Sequence, residues 1–128
     1  LVVEVLRAIQ ALGVKIAIDD FGTGYSSMSY LRDLPINTLK IDGIFINDLV
    51  EGTHSEIPHS DVHLLRDEGI VRSIITLGKS LGFSTVAESV EHEYQVTKLK
   101  SMGCDVIQGY YFSKPLPVDE IEIYLRKF

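Results

Sequence analysis

The sequence predicts an α/β fold, in which a parallel β-sheet is covered by helices. Short, almost continuously apolar runs alternate along the chain with segments that repeat apolar residues at helical spacing. Strands that are apolar on both faces are typical of a parallel sheet buried between other layers. With 128 residues, of which 45% are hydrophobic and 23% are charged, the chain has the composition of one soluble globular domain.

The first half of the chain predicts two pairs of a helix and a strand. A helix is predicted over residues 1–12, because apolar residues recur on one face, and a strand is predicted over residues 14–19. A second helix is predicted over residues 26–34, where Pro35 ends it, and a second strand over residues 38–42.

A polar stretch over residues 47–67 follows the second strand and carries His54, His59 and His63. We interpret it as a solvated insertion, of the kind that often serves contacts or regulation. As an alternative, His59 and His63 are four residues apart and could chelate a metal ion if the segment were helical.

The second half of the chain repeats the alternation of helix and strand. Apolar spacing and glycine stops predict helices over residues 69–81, 91–102 and 119–126, and strands over residues 83–88 and 105–108. Four strands make up about half of a closed TIM-like (β/α)8 barrel, which takes about 250 residues. Half a barrel leaves two strand edges unpaired, so we expect upstream sequence or a second copy of the chain to complete it.

Charge and composition exclude several classes of protein. The formal net charge of −6 argues against a partner that is a nucleic-acid polymer, because Lys and Arg hold phosphate backbones. No apolar run reaches the roughly 20 residues that a membrane span needs. Cys104 is the single cysteine and cannot form an internal disulfide, which fits a cytoplasmic protein. The chain begins with Leu1 inside a helical pattern, and we interpret it as a piece of a longer protein.

Asp19 and Asp20 end the first predicted strand and suggest a metal site. Adjacent carboxylates repel each other, and divalent cations such as Mg²⁺ or Mn²⁺ relieve that repulsion. Neighbouring strand residues point to opposite faces, so both acids reach one site only if the backbone leaves strand geometry. Gly22 and Gly24 provide the conformational freedom for such a turn. The alternative is a polar turn in which an aspartate caps the following helix.

Polar side chains also follow the other three predicted strands. Lys40 and Asp42 share one strand face and are either site residues or a structural ion pair. Glu88 and Glu91 follow the third strand, where acids also favour a helix N-terminus. Gln108 follows the fourth strand and precedes aromatic residues, which are either stacking surfaces or packing groups. Carboxyl ends of parallel strands are where α/β proteins build active sites.

These motifs, in this order, resemble the carboxyl-terminal half of the EAL domain family, bacterial phosphodiesterases that linearise cyclic di-GMP. The resemblance covers nearly the whole chain, residues 1–128. It is carried by the segments Asp19-Asp20-Phe21-Gly22-Thr23-Gly24-Tyr25-Ser26-Ser27, Leu39-Lys40-Ile41-Asp42, Val86-Ala87-Glu88-Ser89-Val90-Glu91 and Gln108-Gly109-Tyr110-Tyr111-Phe112-Ser113-Lys114-Pro115-Leu116.

The resemblance implies a role for each matching residue. Asp19 and Asp20 would ligate a pair of Mg²⁺ or Mn²⁺ ions, and Lys40 would hold or deprotonate the attacking water. Glu88 would lie close to the metals, and Glu91 would tie down the loop after Asp20. The expected substrate or loop residues are Asp42, Gln108, Phe21, Gly22, Thr23 and Gly24, of which the last four belong to a loop that couples metal and substrate binding to dimerisation.

The function implied by the resemblance is two-metal hydrolysis of cyclic di-GMP to pGpG in second-messenger signalling, including control of biofilm and motility. A homodimer and upstream sensor or GGDEF domains would be the partners. The chain departs from the family in three ways: the Glu-Ala-Leu signature with its further metal ligands is absent, Ser89 stands where glycine is usual, and residues 47–67 are longer than usual. The alternative is therefore a catalytically inactive module that binds cyclic di-GMP or another protein.

Overall fold

The computed structural model describes residues 1–24, 28–52 and 62–128. Within these ranges the chain forms six helices and four strands. In chain order they are α1 (Val2–Ala11), β1 (Ala17–Phe21), α2 (Met28–Asp33), β2 (Thr38–Ile41), α3 (Gly43–Asn47), α4 (Val62–Leu81), β3 (Ser84–Ala87), α5 (Glu93–Met102), β4 (Val106–Ile107) and α6 (Val118–Leu125).

The strands form one parallel sheet in the order β1-β2-β3-β4. Each strand pairs with the next strand along the chain, because helices carry the chain back between them, as right-handed βαβ connections do. All four carboxyl ends therefore meet at one edge of the sheet. The sheet is open within the described residues, with β1 and β4 at its two ends.

The core lies between the sheet and the helices that cover one of its faces. Leu39 and Ile41 of β2 are fully buried, whereas Lys40 between them is partly exposed, because alternate strand residues point to opposite faces. Val71 and Ile75 of α4 belong to the same buried cluster. The apolar face of the sheet thus holds the helices, and the opposite face of β2 carries the lysine.

The helices at the two ends of the sheet are less well covered. Neither α1 nor α6 contains a fully buried residue. Apolar side chains remain exposed on both helices, among them Val5 on α1 and Ile123 on α6. The expectation that upstream sequence or a second copy of the chain covers these ends of the sheet stays a prediction.

The structure differs from the predicted elements mainly between β2 and β3. The short helix α3 was not predicted, and α4 begins at Val62 instead of residue 69. The stretch expected as an insertion, residues 47–67, therefore includes the end of α3 and the first turns of α4. Residues 53–61, with His54 and His59, lie outside the described residues, so the suggested metal pair with His63 stays a prediction.

The bounds of β1 also differ from the prediction. Strand β1 runs from Ala17 to Phe21 instead of over the predicted residues 14–19, so Asp19 and Asp20 lie within the strand and do not end it. Among the described residues, no helix is both long enough and apolar enough to cross a membrane.

Two glycines of α4 test how closely this helix packs on the sheet. A methyl group added at Gly78 would lie 2.6 Å from Thr85 Cγ2, whereas one added at Gly69 would meet nothing within 4 Å. Alanine favours a helix over glycine by about 0.5–1 kcal/mol at both positions. We expect Gly69→Ala to raise the free energy of unfolding by that amount. We expect Gly78→Ala to lower it by about 1–3 kcal/mol, because the added methyl group would overpack the contact between α4 and β3.

Denaturant unfolding of the intact natural protein measures both changes, and the Gly69 variant is the matched control for helix propensity. Equal stabilisation by the two substitutions would contradict close packing of α4 against β3.

Candidate functional site

Asp19 and Asp20 reach the same edge of the sheet because β1 is irregular at this point. Ile18 pairs with Leu39 and Phe21 pairs with Ile41, so two residues of β1 lie opposite one residue of β2. Asp20 has a φ of 50°, in the left-handed region, and its backbone N–H donates to Asp19 Oδ1 at 2.9 Å. The backbone thus leaves strand geometry as the sequence required.

The turn that follows holds Asp20 in place. Thr23 Oγ1 donates to the Asp20 carbonyl oxygen at 2.7 Å. Gly22 has a φ of 100°, and an added Cβ there would lie 2.9 Å from Phe45 Cε2, so glycine is required for both conformation and space. Phe21 is buried in the core. Gly24, which was expected to share the role of Gly22, does not have a positive φ.

Three carboxylates converge at this edge around one lysine. Asp19, Asp20 and Glu88 each offer a carboxylate oxygen, and these oxygens lie within 4.8 Å of one another. Lys40 Nζ lies 2.6 Å from Glu88 Oε1 and 3.4 Å from Asp19 Oδ1. We call these four side chains the acidic cluster. The side chains of Lys40 and Glu88 are only 27% and 21% exposed, so their mutual attraction is partly shielded from water.

The pKa values of the cluster reflect its crowded charges. A hydrogen bond with Asp42, followed by the nearby charge of Asp19, raises the pKa of Asp20. The hydrogen bond with Glu88 raises the pKa of Lys40, although burial acts in the opposite direction. Lys40 is therefore an ammonium at neutral pH in this arrangement. It acts as a hydrogen-bond donor and countercharge, which favours holding a water over deprotonating it.

Asp42 lies next to the cluster and also begins α3. Its carboxylate accepts a hydrogen bond of 2.8 Å from the backbone N–H of Ile44, as helix N-caps do. Among the described residues, Lys40 pairs with Glu88 and Asp19 and not with Asp42. The alternative of a structural Lys40–Asp42 ion pair is therefore wrong.

Gln108 and Glu91 border a cavity beside Glu88. The cavity measures about 420 Å³ and is lined by Glu88, Ser89, Glu91, Gln108, Gly109 and Tyr110. Backbone pairing extends past the strands and fixes its walls, because Gln108 N donates to Ala87 O at 2.9 Å and Val90 N donates to Gln108 O at 3.2 Å. Residues 25–27 of the loop that Glu91 was expected to tie down lie outside the described residues, so that role stays a prediction.

Sequence reasoning overlooked Gln95. Its side chain is 2% exposed and accepts hydrogen bonds from the backbone N–H groups of Glu91 and His92. A glutamine three residues after the N-cap residue, here His92, is the signal that could have identified it, since this is the spacing of a capping box.

The acidic cluster fits a divalent cation. Three carboxylate oxygens at this spacing form the hard donor set that Mg²⁺ and Mn²⁺ prefer. The hydrogen bond with Asp42 and then the charge of Asp19 raise the pKa of Asp20, and a bound cation would relieve the charge repulsion among these acids. The sequence assigned Asp19 and Asp20 to metal binding, and the geometry groups Glu88 with them.

A family model described as the EAL domain matches residues 1–115. The chain belongs to the EAL domain family. The EAL chain is 42% identical over 126 residues to the cyclic di-GMP phosphodiesterase NbdA of Pseudomonas aeruginosa. That alignment covers 98% of this chain and 15% of NbdA, so the chain spans about one seventh of that relative.

Solved structures show the same EAL fold. The phosphodiesterase PaMucR in complex with c-di-GMP matches with a TM-score of 0.79 and 40% identity, over 93% of this chain and 43% of that one. Klebsiella pneumoniae BlrP1 with manganese and cy-diGMP matches with a TM-score of 0.66 and 33% identity, over 88% of this chain and 26% of that one. The prediction of part of a TIM-like α/β barrel is confirmed, and an open sheet is expected for a part of the domain.

Asp20→Asn tests whether the carboxylates repel one another in the absence of metal. Asparagine tolerates the left-handed φ of Asp20 and removes one negative charge. A carboxyl whose folded pKa is raised disfavours folding once it ionises, so the variant should unfold at a higher temperature than wild type in EDTA at neutral pH. It should also bind Mn²⁺ at least about tenfold more weakly, because a charged ligand is lost.

Thermal unfolding and calorimetry on the intact natural protein measure the two effects, with Asp33→Asn as the control. Asp33 is exposed and pairs with Arg32 on α2, outside the cluster. A lower melting temperature in EDTA for Asp20→Asn than for wild type would contradict the repulsion.

Proposed function

We propose that this chain is part of a metal-dependent phosphodiesterase that hydrolyses cyclic di-GMP to the linear dinucleotide pGpG. The acidic cluster is the observation that carries the proposal. Asp19, Asp20 and Glu88 offer converging carboxylate oxygens, with the Lys40 ammonium beside them. Similarity to a relative named as a cyclic di-GMP phosphodiesterase and to a neighbour solved with c-di-GMP supports this substrate.

Each side chain of the site has a part in the proposed reaction. Asp19, Asp20 and Glu88 would hold Mg²⁺ or Mn²⁺, which supplies Lewis-acid stabilisation of the phosphoryl oxygens and activates water when bound. Lys40 would orient the attacking water through its ammonium hydrogens and balance phosphate charge. Gln108 and Glu91, at the mouth of the neighbouring cavity, are suited to contact the substrate and the adjoining loop.

The partners follow from the same assignment. The chain spans 15% of NbdA, so further metal ligands, sensor domains or GGDEF domains would come from the rest of the natural protein. We expect the protein to act as a homodimer through the EAL domain. The single cysteine fits a site of action in the cytoplasm.

Hydrolysis by the intact natural protein tests the proposal. Purified protein is mixed with cyclic di-GMP and Mn²⁺, and pGpG is measured by chromatography. Lys40→Met keeps the length of the side chain and removes the ammonium, so we expect kcat to fall by roughly 100- to 1,000-fold with the fold retained. Lys79→Met, on α4 away from the cluster, is the matched control and should keep the wild-type rate.

The same experiment separates the enzyme from a silent binding module. Calorimetric binding of cyclic di-GMP without any pGpG would favour the catalytically inactive alternative. Ser89 is the observation that bears on this alternative. It has a φ of 59° between Glu88 and Glu91, a conformation that glycine adopts at lower cost.

A further inference from the structure

Gln95 is a buried amide that uses both of its polar atoms. Its side chain is 2% exposed in the first turn of α5. Gln95 Oε1 accepts from Glu91 N at 2.9 Å and from His92 N at 3.1 Å, and Gln95 Nε2 donates to Ile46 O at 3.0 Å. A buried amide whose oxygen and nitrogen are both bonded fixes its neighbours, because breaking any one bond leaves an unsatisfied polar group.

These bonds join two segments that both lead into the acidic cluster. Glu91 and His92 end the loop that begins at Glu88, and this loop connects β3 to α5. Ile46 lies in α3, the helix that Asp42 caps next to Asp20. The bond to Ile46 spans 49 residues of sequence, which exceeds the local role of a helix cap.

A second contact links the same two segments. Ser89 of the loop lies directly on Gly43, the first residue of α3, and leaves no room for a β-carbon there. The loop therefore contacts α3 through Ser89 near its start and through Gln95 near its end. With both contacts in place, Glu88 is held where it meets Lys40 at 2.6 Å.

We propose that Gln95 is a positioning residue, which fixes the loop of residues 88–92 to α3 and thereby holds Glu88 in the acidic cluster. The proposal rests on the proposed function for its catalytic consequence. Gln95 does not touch the carboxylate oxygens of the cluster, so it acts through the backbone of Glu91 and His92. Replacing a residue that orients a metal ligand without contacting the metal typically lowers metal affinity or activity by about 10- to 100-fold.

Two variants separate the bonds that Gln95 makes to the loop of residues 88–92 from the bond that it makes to α3. Gln95→Met keeps the length of the side chain and removes all three hydrogen bonds. Gln95→Glu keeps acceptors for Glu91 N and His92 N but lacks the donor for Ile46 O once it is ionised. It is measured at alkaline pH, because a protonated carboxyl would still donate to that oxygen. Thr85→Val is the control, because it removes a buried hydroxyl that bonds to Asp105, at the end of β3 away from Glu88.

Three measurements are made on the intact natural protein: hydrogen exchange of the Glu91 and His92 amides, Mn²⁺ affinity by calorimetry, and kcat and KM for cyclic di-GMP. For Gln95→Met we expect faster exchange at both amides, Mn²⁺ affinity and kcat lower by about tenfold or more, and KM changed far less than kcat. For Gln95→Glu we expect protected amides with an intermediate loss of Mn²⁺ affinity. Thr85→Val should lower the melting temperature without changing Mn²⁺ affinity.

The outcomes distinguish this proposal from the proposed function. Mn²⁺ affinity of Gln95→Met equal to that of Thr85→Val would overturn the positioning role, whatever the rate of hydrolysis. If Gln95→Met does not fold, the Gln95→Glu variant still decides the question. Wild-type Mn²⁺ affinity in that variant would show that the bond from Gln95 to Ile46 does not position Glu88. A wild-type protein that binds Mn²⁺ but forms no pGpG would refute the proposed function, while a weaker Mn²⁺ affinity in Gln95→Met would still support the positioning role.

Discussion

Repulsion between carboxylates at one edge of the sheet is the constraint on which the site depends. Asp19, Asp20 and Glu88 bring their oxygens within 4.8 Å of one another, and Asp42 lies against Asp20. Lys40 offsets part of this charge through contacts with Glu88 and Asp19. One ammonium does not balance this many acids, so the cluster retains net negative charge that a divalent cation can neutralise. Under the proposed function, the same imbalance would require a bound cation before a phosphate group could approach the cluster.

The scaffold holds these charges together through its apolar side. Leu39 and Ile41 are anchored beneath α4, and because strand residues alternate, Lys40 must project to the opposite face. The irregularity in β1 then brings the Asp20 carboxylate to the side of the sheet edge where Asp19 and Glu88 lie. Core burial therefore supplies the free energy that offsets the unfavourable approach of the acids. A site built on strand ends is rigid enough to hold ligands of like charge in place.

The loop after β3 is supported both by backbone pairing that continues past the strands and by side chains of the neighbouring helices. It leaves β3 at Ala87 and carries Glu88 and Glu91 before α5 begins. Glu88 N donates to Ile41 O at 3.4 Å, and beyond this backbone pairing the loop rests on Gln95 and on α3. An EAL chain with Ser89 in a left-handed conformation places more demand on these supports than one with glycine would. The stability of this loop thus connects the packing of α3 and α5 to the position of Glu88.

The sequence by itself determined the alternation of strands and helices, the parallel sheet and the polar residues near the carboxyl end of each strand. It did so because apolar periodicity and glycine or proline stops are local signals. Helix α3 was missed because its five residues are too few to show a helical repeat, and it is stabilised by the Asp42 cap and by burial of Phe45 and Ile46. The early start of α4 was missed because its first residues belong to the stretch taken as a polar insertion. Only the tertiary structure decided that Lys40 pairs with Glu88 instead of Asp42, that Asp20 bends back beside Asp19, and that Gln95 joins segments 49 residues apart. Those outcomes depend on distances between strands and loops, which no spacing along the chain encodes.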